Sequence, residues 1–154
     1  NIARVMPNTP SQIGKGVSAY CFDEPPADED QHEVVSILSA LGSAHAVQES
    51  QMHIVTAVSG CGPAVFFRFV DLIAEAASKR GLDYALAAQL AIETGLGSLE
   101  LMQKSGRTPS ELVDEVVSPN GVTHALLTSL DTDGWPNIVE TSIQVAVDRS
   151  KELS

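Results

Sequence analysis

Between Tyr84 and Lys104 the chain carries Leu86, Leu90, Ala91, Ile92, Leu96, Leu99, Leu101 and Met102, spread over nearly every side of one helix. A helix that is apolar all round has to be covered all round. With ~105 helical residues in total, the chain's own helices can hardly cover it. Ala87, Ala91 and Gly95 recur at a spacing of four and would let another backbone come close. Two readings follow: a central core helix of a monomer, or a helix that belongs to a dimer interface. The shortage of covering chain favours the interface.

The pattern is helical from about Gln51 onward. Ser59-Gly60-Cys61-Gly62-Pro63 reads as a loop, with Pro63 at a helix start where its missing N–H costs nothing. From Pro63 to Arg80, Phe66, Phe69, Val70, Ile73 and Ala77 share one face, and Arg68, Asp71, Glu75 and Lys79 share the other. Pro109 to Val116 is a short acidic helix capped by Thr108. Another helix follows Gly121, with Val122, Ala125, Leu126 and Leu130 expected to point inward. A last helix begins at Pro136, with Ile138, Val139, Ile143, Ala146 and Val147 on its apolar face.

Residues 1–50 have another character. Arg4-Val5-Met6 leads into Pro7-Asn8-Thr9-Pro10, where two prolines favour extended or turn geometry. Gly16–Phe22 and Ser43–Val47 read as strands flanking a helix from about Ala27 to Leu41, which opens on Asp28, Glu29 and Asp30. This part is too small to bury its strands alone. It resembles the end of an α/β domain whose earlier strands are missing, and the sequence opens on Asn1 rather than Met. The fold class expected is therefore mainly α: a remnant of the end of an α/β domain over residues 1–50, then an all-helical domain over 51–154.

Charge and motifs exclude several functions. The net charge of −11 repels phosphate backbones and anionic lipid, so neither nucleic acid nor membrane is an expected partner. No run reaches the ~18 uninterrupted apolar residues of a membrane span, since Arg68, Asp71 and Glu75 break the best candidate, and no basic segment precedes an apolar one near the start. Cys21 and Cys61 form no metal or disulfide pattern, which fits a cytoplasmic location. Cys61 reads as a small residue in a tight turn rather than a reactive thiol. His32, His45, His53 and His124 lack ligand spacing, so no metal is expected. Asp131-x-Asp133-Gly134 reads as a turn, because the oxygen ligands of a calcium loop do not follow it. No motif for covalent catalysis is present. Gly60-x-Gly62 lacks the strand and third glycine of a dinucleotide fingerprint.

The most informative segment is Ser118-Pro119-Asn120-Gly121-Val122-Thr123. A Pro-Asn-Gly turn feeding into a helix leaves first-turn amides without intrahelical partners, and such an end can hold a carboxylate or phosphate. Ser118 and Thr123 add hydroxyls. Taken locally, an ordinary capped helix is the commoner meaning of this pattern.

Five segments in order carry a family resemblance over essentially the whole chain. They are Arg4-Val-Met-Pro-Asn-Thr-Pro10, Ser59-Gly-Cys-Gly-Pro-Ala64, Gly95-Leu-Gly97, Val117-Ser-Pro-Asn-Gly-Val-Thr123 and Val147-Asp-Arg-Ser-Lys-Glu-Leu153. Together they resemble the pyrroline-5-carboxylate reductase family. The resemblance implies an oxidoreductase of proline biosynthesis that reduces 1-pyrroline-5-carboxylate to proline with NADP or NAD as cofactor. It implies a Rossmann domain for the cofactor, a helical domain that makes a homodimer by interlocking helices, possible higher assemblies of dimers, and a substrate site between the domains. It assigns substrate binding to Ser118, Asn120, Gly121, Val122 and Thr123: backbone amides hold the carboxylate, and the Thr123 hydroxyl lies near the ring nitrogen. It places Met6-Pro7-Asn8 near the nicotinamide, which makes Asn8 a cofactor contact.

Three departures bear on these expectations. Asn120 stands where the family has Gly, and Asn is the next residue most tolerant of positive φ. Val122 stands where the family has Thr; it keeps the amide and lacks the hydroxyl. Cys61 stands where Ser is common. No Gly-rich fingerprint follows a strand, so this chain alone is expected neither to bind the whole dinucleotide nor to turn over. It reads as a C-terminal part of the reductase. The alternatives are a non-catalytic dimerisation module or degenerate relative, and some other two-domain imine or hydroxyacid dehydrogenase.

Overall fold

Two glycines fix where the strands meet. In the computed structural model, which describes residues 2–154, β2 (Gly16–Phe22) runs parallel to β3 (Gly42–Ala46), starting from the pair Gly16 and Gly42. Gly42 has φ 142°, and a Cβ there would collide with the Gly16 carbonyl. A Cβ on Gly16 would come within 2.8 Å of the Leu41 carbonyl, which accepts the Gly16 amide at 2.8 Å. β1 (Ala3–Met6) pairs antiparallel with β2, from Ala3 opposite Phe22 to Met6 opposite Ala19, so the sheet order is β1-β2-β3. The central strand carries most of the buried residues: Ser18, Ala19, Tyr20 and Cys21 are each at most 6% exposed.

The crossover between the parallel strands is α1 (Asp28–Ser39), whose Leu38 is buried. Both expected strands and this helix form within one to two residues of their sequence-derived limits. Of the extended or turn geometry expected around the prolines after β1, the structure has a turn at the second. Pro10 sits at the start of a 3₁₀ turn, Thr9–Ile13, where a fixed φ and a missing N–H are both tolerated.

Residues 49–78 form a continuous helical stretch: a 3₁₀ turn (Glu49–Gln51), α2 (Met52–Val55), a π-turn (Thr56–Gly60) and α3 (Gly62–Ser78). By length and composition it is apolar enough to cross a membrane, although Arg68, Asp71 and Glu75 interrupt it. The remaining helices are α4 (Tyr84–Ser105), α5 (Pro109–Val116), α6 (Val122–Thr132) and α7 (Trp135–Glu152). Asp83 caps α4 by accepting the Leu86 amide at 2.9 Å, and Gly106 ends it at φ 67°. Thr108 and Glu111 form a capping box at α5.

The chain forms two compact units. One comprises everything up to Phe66 together with Glu140–Ser154; the other is Phe67–Val139. The sequence-based division at residues 50 and 51 falls at the beginning of the long helical stretch.

In the first unit Met52 and Ala57 are buried beside the sheet residues. In the second unit, among the described residues, only Ala74 and Ala87 are buried. Phe69 and Trp135 stack at 6.3 Å, and Tyr84 Oη donates to Asp71 at 2.8 Å, but the large aliphatic residues stay open. Leu86, Leu90, Ile92, Leu96, Leu99 and Leu101 are all exposed, as are Phe66, Phe69 and Ile73 of α3. Val122 and Leu126, expected to point inward, are 88% and 56% exposed, and Ile138 and Val139 are open as well. The periodicity is as read; what is missing is chain to cover it.

Candidate functional site

The segment 118–123 folds as a tight turn leading into a helix. Pro119 occupies the second position and Asn120 the third, with φ 59°. Asn120 is the one non-glycine residue at positive φ among the described residues. The Gly121 amide donates to the Ser118 carbonyl at 2.9 Å and closes the turn in a type II arrangement. Asn thus does the work of glycine at this corner.

That closing bond corrects one expectation. The Gly121 amide is taken up by the turn, so it is not one of the open donors. Gly121 is the N-cap of α6, without a side-chain cap, and its carbonyl accepts the Ala125 amide at 3.1 Å. The open amides are those of Val122, Thr123 and His124. Glycine at 121 is required by space rather than by φ, which is −78°. A Cβ there would collide with Ser118 Oγ and come within 3.0 Å of the Ser118 carbonyl. The Ser118 and Thr123 hydroxyls have no partner among the described residues. Ser118, Asn120, Gly121, Val122 and Thr123 therefore lie on one turn and the helix start that follows it, in the second unit, with Ser118, Asn120 and Val122 exposed.

Asn8 lies in the first unit, in a polar cluster that sequence reasoning missed. Its Oδ1 accepts the Val17 amide at 2.9 Å. Its Nδ2 lies 3.3 Å from the Ser59 carbonyl and 3.4 Å from Ser59 Oγ. Ser59 needs that donor because residue 63, four positions on, is a proline without an N–H. The Ala64 amide goes instead to Cys61 O at 3.1 Å, and the Cys61 amide to Thr56 O at 2.9 Å, the wide turn of a π-helix. Within the expected loop over Ser59–Pro63, Ser59 and Gly60 belong to the π-turn, Cys61 is a bend, and Gly62 and Pro63 open α3, so Pro63 stands at a helix start as expected. Gly60 sits against Met6, and a Cβ there would be 3.4 Å from Met6 Sδ.

Glu49 anchors a second cluster in the same unit. Its carboxylate pairs with Arg4 and accepts Cys21 Sγ at 2.9 Å. Burial first, and then the hydrogen bond to Glu49, push the Cys21 thiol up to about 11, which removes its nucleophilicity at neutral pH. Those contacts, the Cys21 hydrogen bond foremost, hold the Glu49 carboxyl below its usual range. His53 Nδ1 lies 3.0 Å from Ser150 Oγ and so ties α2 to α7. Cys61 is exposed.

Among the described residues the one strand–helix–strand crossover, β2-α1-β3, is the place to look for a diphosphate. Its connection is Asp23-Glu24-Pro25-Pro26, and α1 opens with Asp28, Glu29 and Asp30. Five carboxylates and two prolines, with no glycine, occupy the ground where a pyrophosphate would need open amides. The residues present do not fit a dinucleotide's phosphates.

A small sheet followed by helices whose apolar faces stay open within one chain defines a helical association module. Residues 49–153 match the family described as pyrroline-5-carboxylate reductase dimerisation, and the chain belongs to that family. It is 34% identical to pyrroline-5-carboxylate reductase 1 of Bacillus spizizenii over 99% of its own length and 52% of that protein. It is 36% identical to the pyrroline-5-carboxylate reductase of Pseudomonas aeruginosa over 99% of its length and 56% of that protein. A crystal structure of the Plasmodium falciparum pyrroline carboxylate reductase with NADP bound superposes with a TM-score of 0.93, at 36% identity, over 99% of this chain and 62% of that one. The Streptococcus pyogenes enzyme gives 0.94 at 29% identity, covering 97% and 58%. The chain spans about half the length of the curated relatives it matches.

Proposed function

We propose that this chain supplies the dimerisation and substrate-binding half of an NAD(P)H-dependent pyrroline-5-carboxylate reductase in proline biosynthesis, and that it works as a homodimer. The observation that carries the reading is the 118–123 turn at the start of α6, which holds two open amides and two hydroxyls without a partner among the described residues.

Reduction of the cyclic imine adds a hydride at C5 and a proton at the ring nitrogen; the hydride is the chemistry a nicotinamide cofactor supplies, NADP or NAD. This chain's residues bind and orient. The Val122 and Thr123 amides, with Ser118 Oγ, hold the substrate carboxylate at the positive end of α6, an arrangement that contributes ~0.3–1 kcal/mol when exposed and up to ~2 when partly buried. Charge-assisted bonds to the amides add to it. Gly121 and Asn120 shape the turn that aims these donors. Thr123 Oγ1 faces the ring nitrogen and keeps it hydrogen-bonded as it gains its proton. Val122 contributes through its amide, so the family's hydroxyl at this position is dispensable for carboxylate binding.

The test is proline formation by the complete polypeptide that carries this chain. Thr123→Ala should cost about 1 kcal/mol, several-fold in kcat/KM, and Gly121→Pro should cost more because it removes the bond closing the turn. The 154-residue chain by itself should oxidise neither NADPH nor NADH with pyrroline-5-carboxylate. Unchanged kcat/KM in both variants with the fold intact means the carboxylate binds elsewhere. No turnover by the complete polypeptide favours a non-catalytic dimerisation module.

A further inference from the structure

We infer that Asn8 is a positioning residue: its side-chain amide is a strut that locks the end of β1 to the π-turn at the root of α3, rather than a group that touches the cofactor. Both ends of the amide are already engaged inside the first unit, Oδ1 by the Val17 amide at 2.9 Å and Nδ2 by Ser59 O and Oγ at 3.3 and 3.4 Å. Three separate pieces of chain, the exit of β1, the entry to β2 and the π-turn, are thereby joined through one side chain. Asn is the side chain suited to this: it offers an acceptor to a strand amide and donors to a carbonyl at once. The need for the donor is created by Pro63, which is buried and leaves the Ser59 carbonyl without its helical partner. The backbone between β1 and the 3₁₀ turn is held too, since the Asn8 carbonyl accepts Ser11 Oγ and the Ser11 amide, the latter at 3.1 Å. Met6 packs against Gly60 on the same side, so the strut fixes the spacing of Met6 from the π-turn.

The consequence for catalysis rests on the reductase reading, in which the 6–8 strand end lies near the nicotinamide. A residue that holds this wall in place should set the rate of hydride transfer without setting affinity, because displacement of about an ångström is costly to a reaction that depends on alignment.

Asn8→Asp isolates the donor arm, since it keeps an acceptor for Val17 and turns the Ser59 contact repulsive. Two readouts are taken on the complete polypeptide. Amide exchange at Cys61 and Ala64, which reports the π-turn directly, should quicken by about tenfold or more. kcat should fall by about tenfold to a hundredfold, with KM for the imine and Kd for NADPH within about twofold of wild type. If Asn8→Asp does not fold, it is combined with Pro63→Ala, which returns an amide donor to Ser59; that pair should fold and stay slow, since the tie to β1 is still cut. Exchange and kcat both unchanged overturn the inference. So does a weakened Kd for NADPH with kcat intact, which makes Asn8 a cofactor contact, and so does wild-type kcat in the double variant. If the unsubstituted polypeptide shows no turnover, the reductase reading fails, and the exchange measurement still decides the strut.

Discussion

Replacing Leu96 with alanine should weaken self-association of this chain by one to three orders of magnitude. Leu96 lies in the middle of α4 and is 65% exposed, more than any other leucine of that helix. Full burial of a leucine side chain is worth about 1.5–3 kcal/mol, so covering the exposed two-thirds is worth about 1–2 kcal/mol. In a two-fold dimer the same patch appears on both protomers, so one substitution is felt twice, about 2–4 kcal/mol in all. At about 1.4 kcal/mol per decade the dimer Kd should rise roughly thirty- to a thousandfold. Any cavity left at the interface adds to this. The assay is sedimentation velocity over a dilution series, with urea unfolding at several protein concentrations as a second reading. A dimer that unfolds on separating shows a midpoint that climbs with concentration. An identical Kd for Leu96→Ala, with α-helical content preserved, would refute the assignment of α4 to the interface.

Other expectations concern the first unit and its titrating groups. Ser18 is 1% exposed, and its hydroxyl has no hydrogen-bond partner; Ser18→Ala should raise stability by about 1 kcal/mol, read as a higher urea midpoint at unchanged slope. Cys21 is a thiol over the whole neutral range because its value is raised to about 11, so a thiol reagent at pH 8 should modify Cys61 quickly and Cys21 only after unfolding. The Glu49 carboxyl titrates below its unfolded value, so its contribution to stability is complete above about pH 4.3 and is lost as pH falls through the lowered folded value. Glu49→Gln should therefore flatten that part of a Tm profile taken from pH 6 down to about pH 3.

Much of this molecule is legible in its sequence, and the illegible parts have physical causes. Helix limits follow local signals: Thr108 and Pro109 open α5 as read, and the Tyr84–Lys104 helix ends within a residue of its expected limits, with Asp83 and Gly106 as its caps in the structure. Asn120 at positive φ follows from the tolerance of Asn for that region, given the turn pattern around it. The engagement of the Gly121 amide is not legible in the sequence, because the Ser118 carbonyl competes with a ligand for the same N–H and residue types alone do not say which wins. The Ser59–Pro63 segment reads as a loop because glycine and proline are the strongest breakers known to local rules. Its first two residues stay in the π-turn because Asn8, fifty-one positions upstream, supplies the donor that Pro63 withholds, and a partner that distant leaves no local signal. The apolar faces of α3, α4, α6 and α7 were read correctly as apolar, but the expectation that α6 would cover its own Val122 and Leu126 assumed a core made within one chain.

The central claim is that the second unit, with only Ala74 and Ala87 buried, is completed by another copy of the same chain. The most direct measurement is the solution mass of the unmodified chain by light scattering on a sizing column at micromolar concentration. The account predicts a single species of twice the 16.3 kDa chain mass, from an obligate interface exceeding ~2,000 Å². A stable, cooperatively folded species of 16.3 kDa would contradict it.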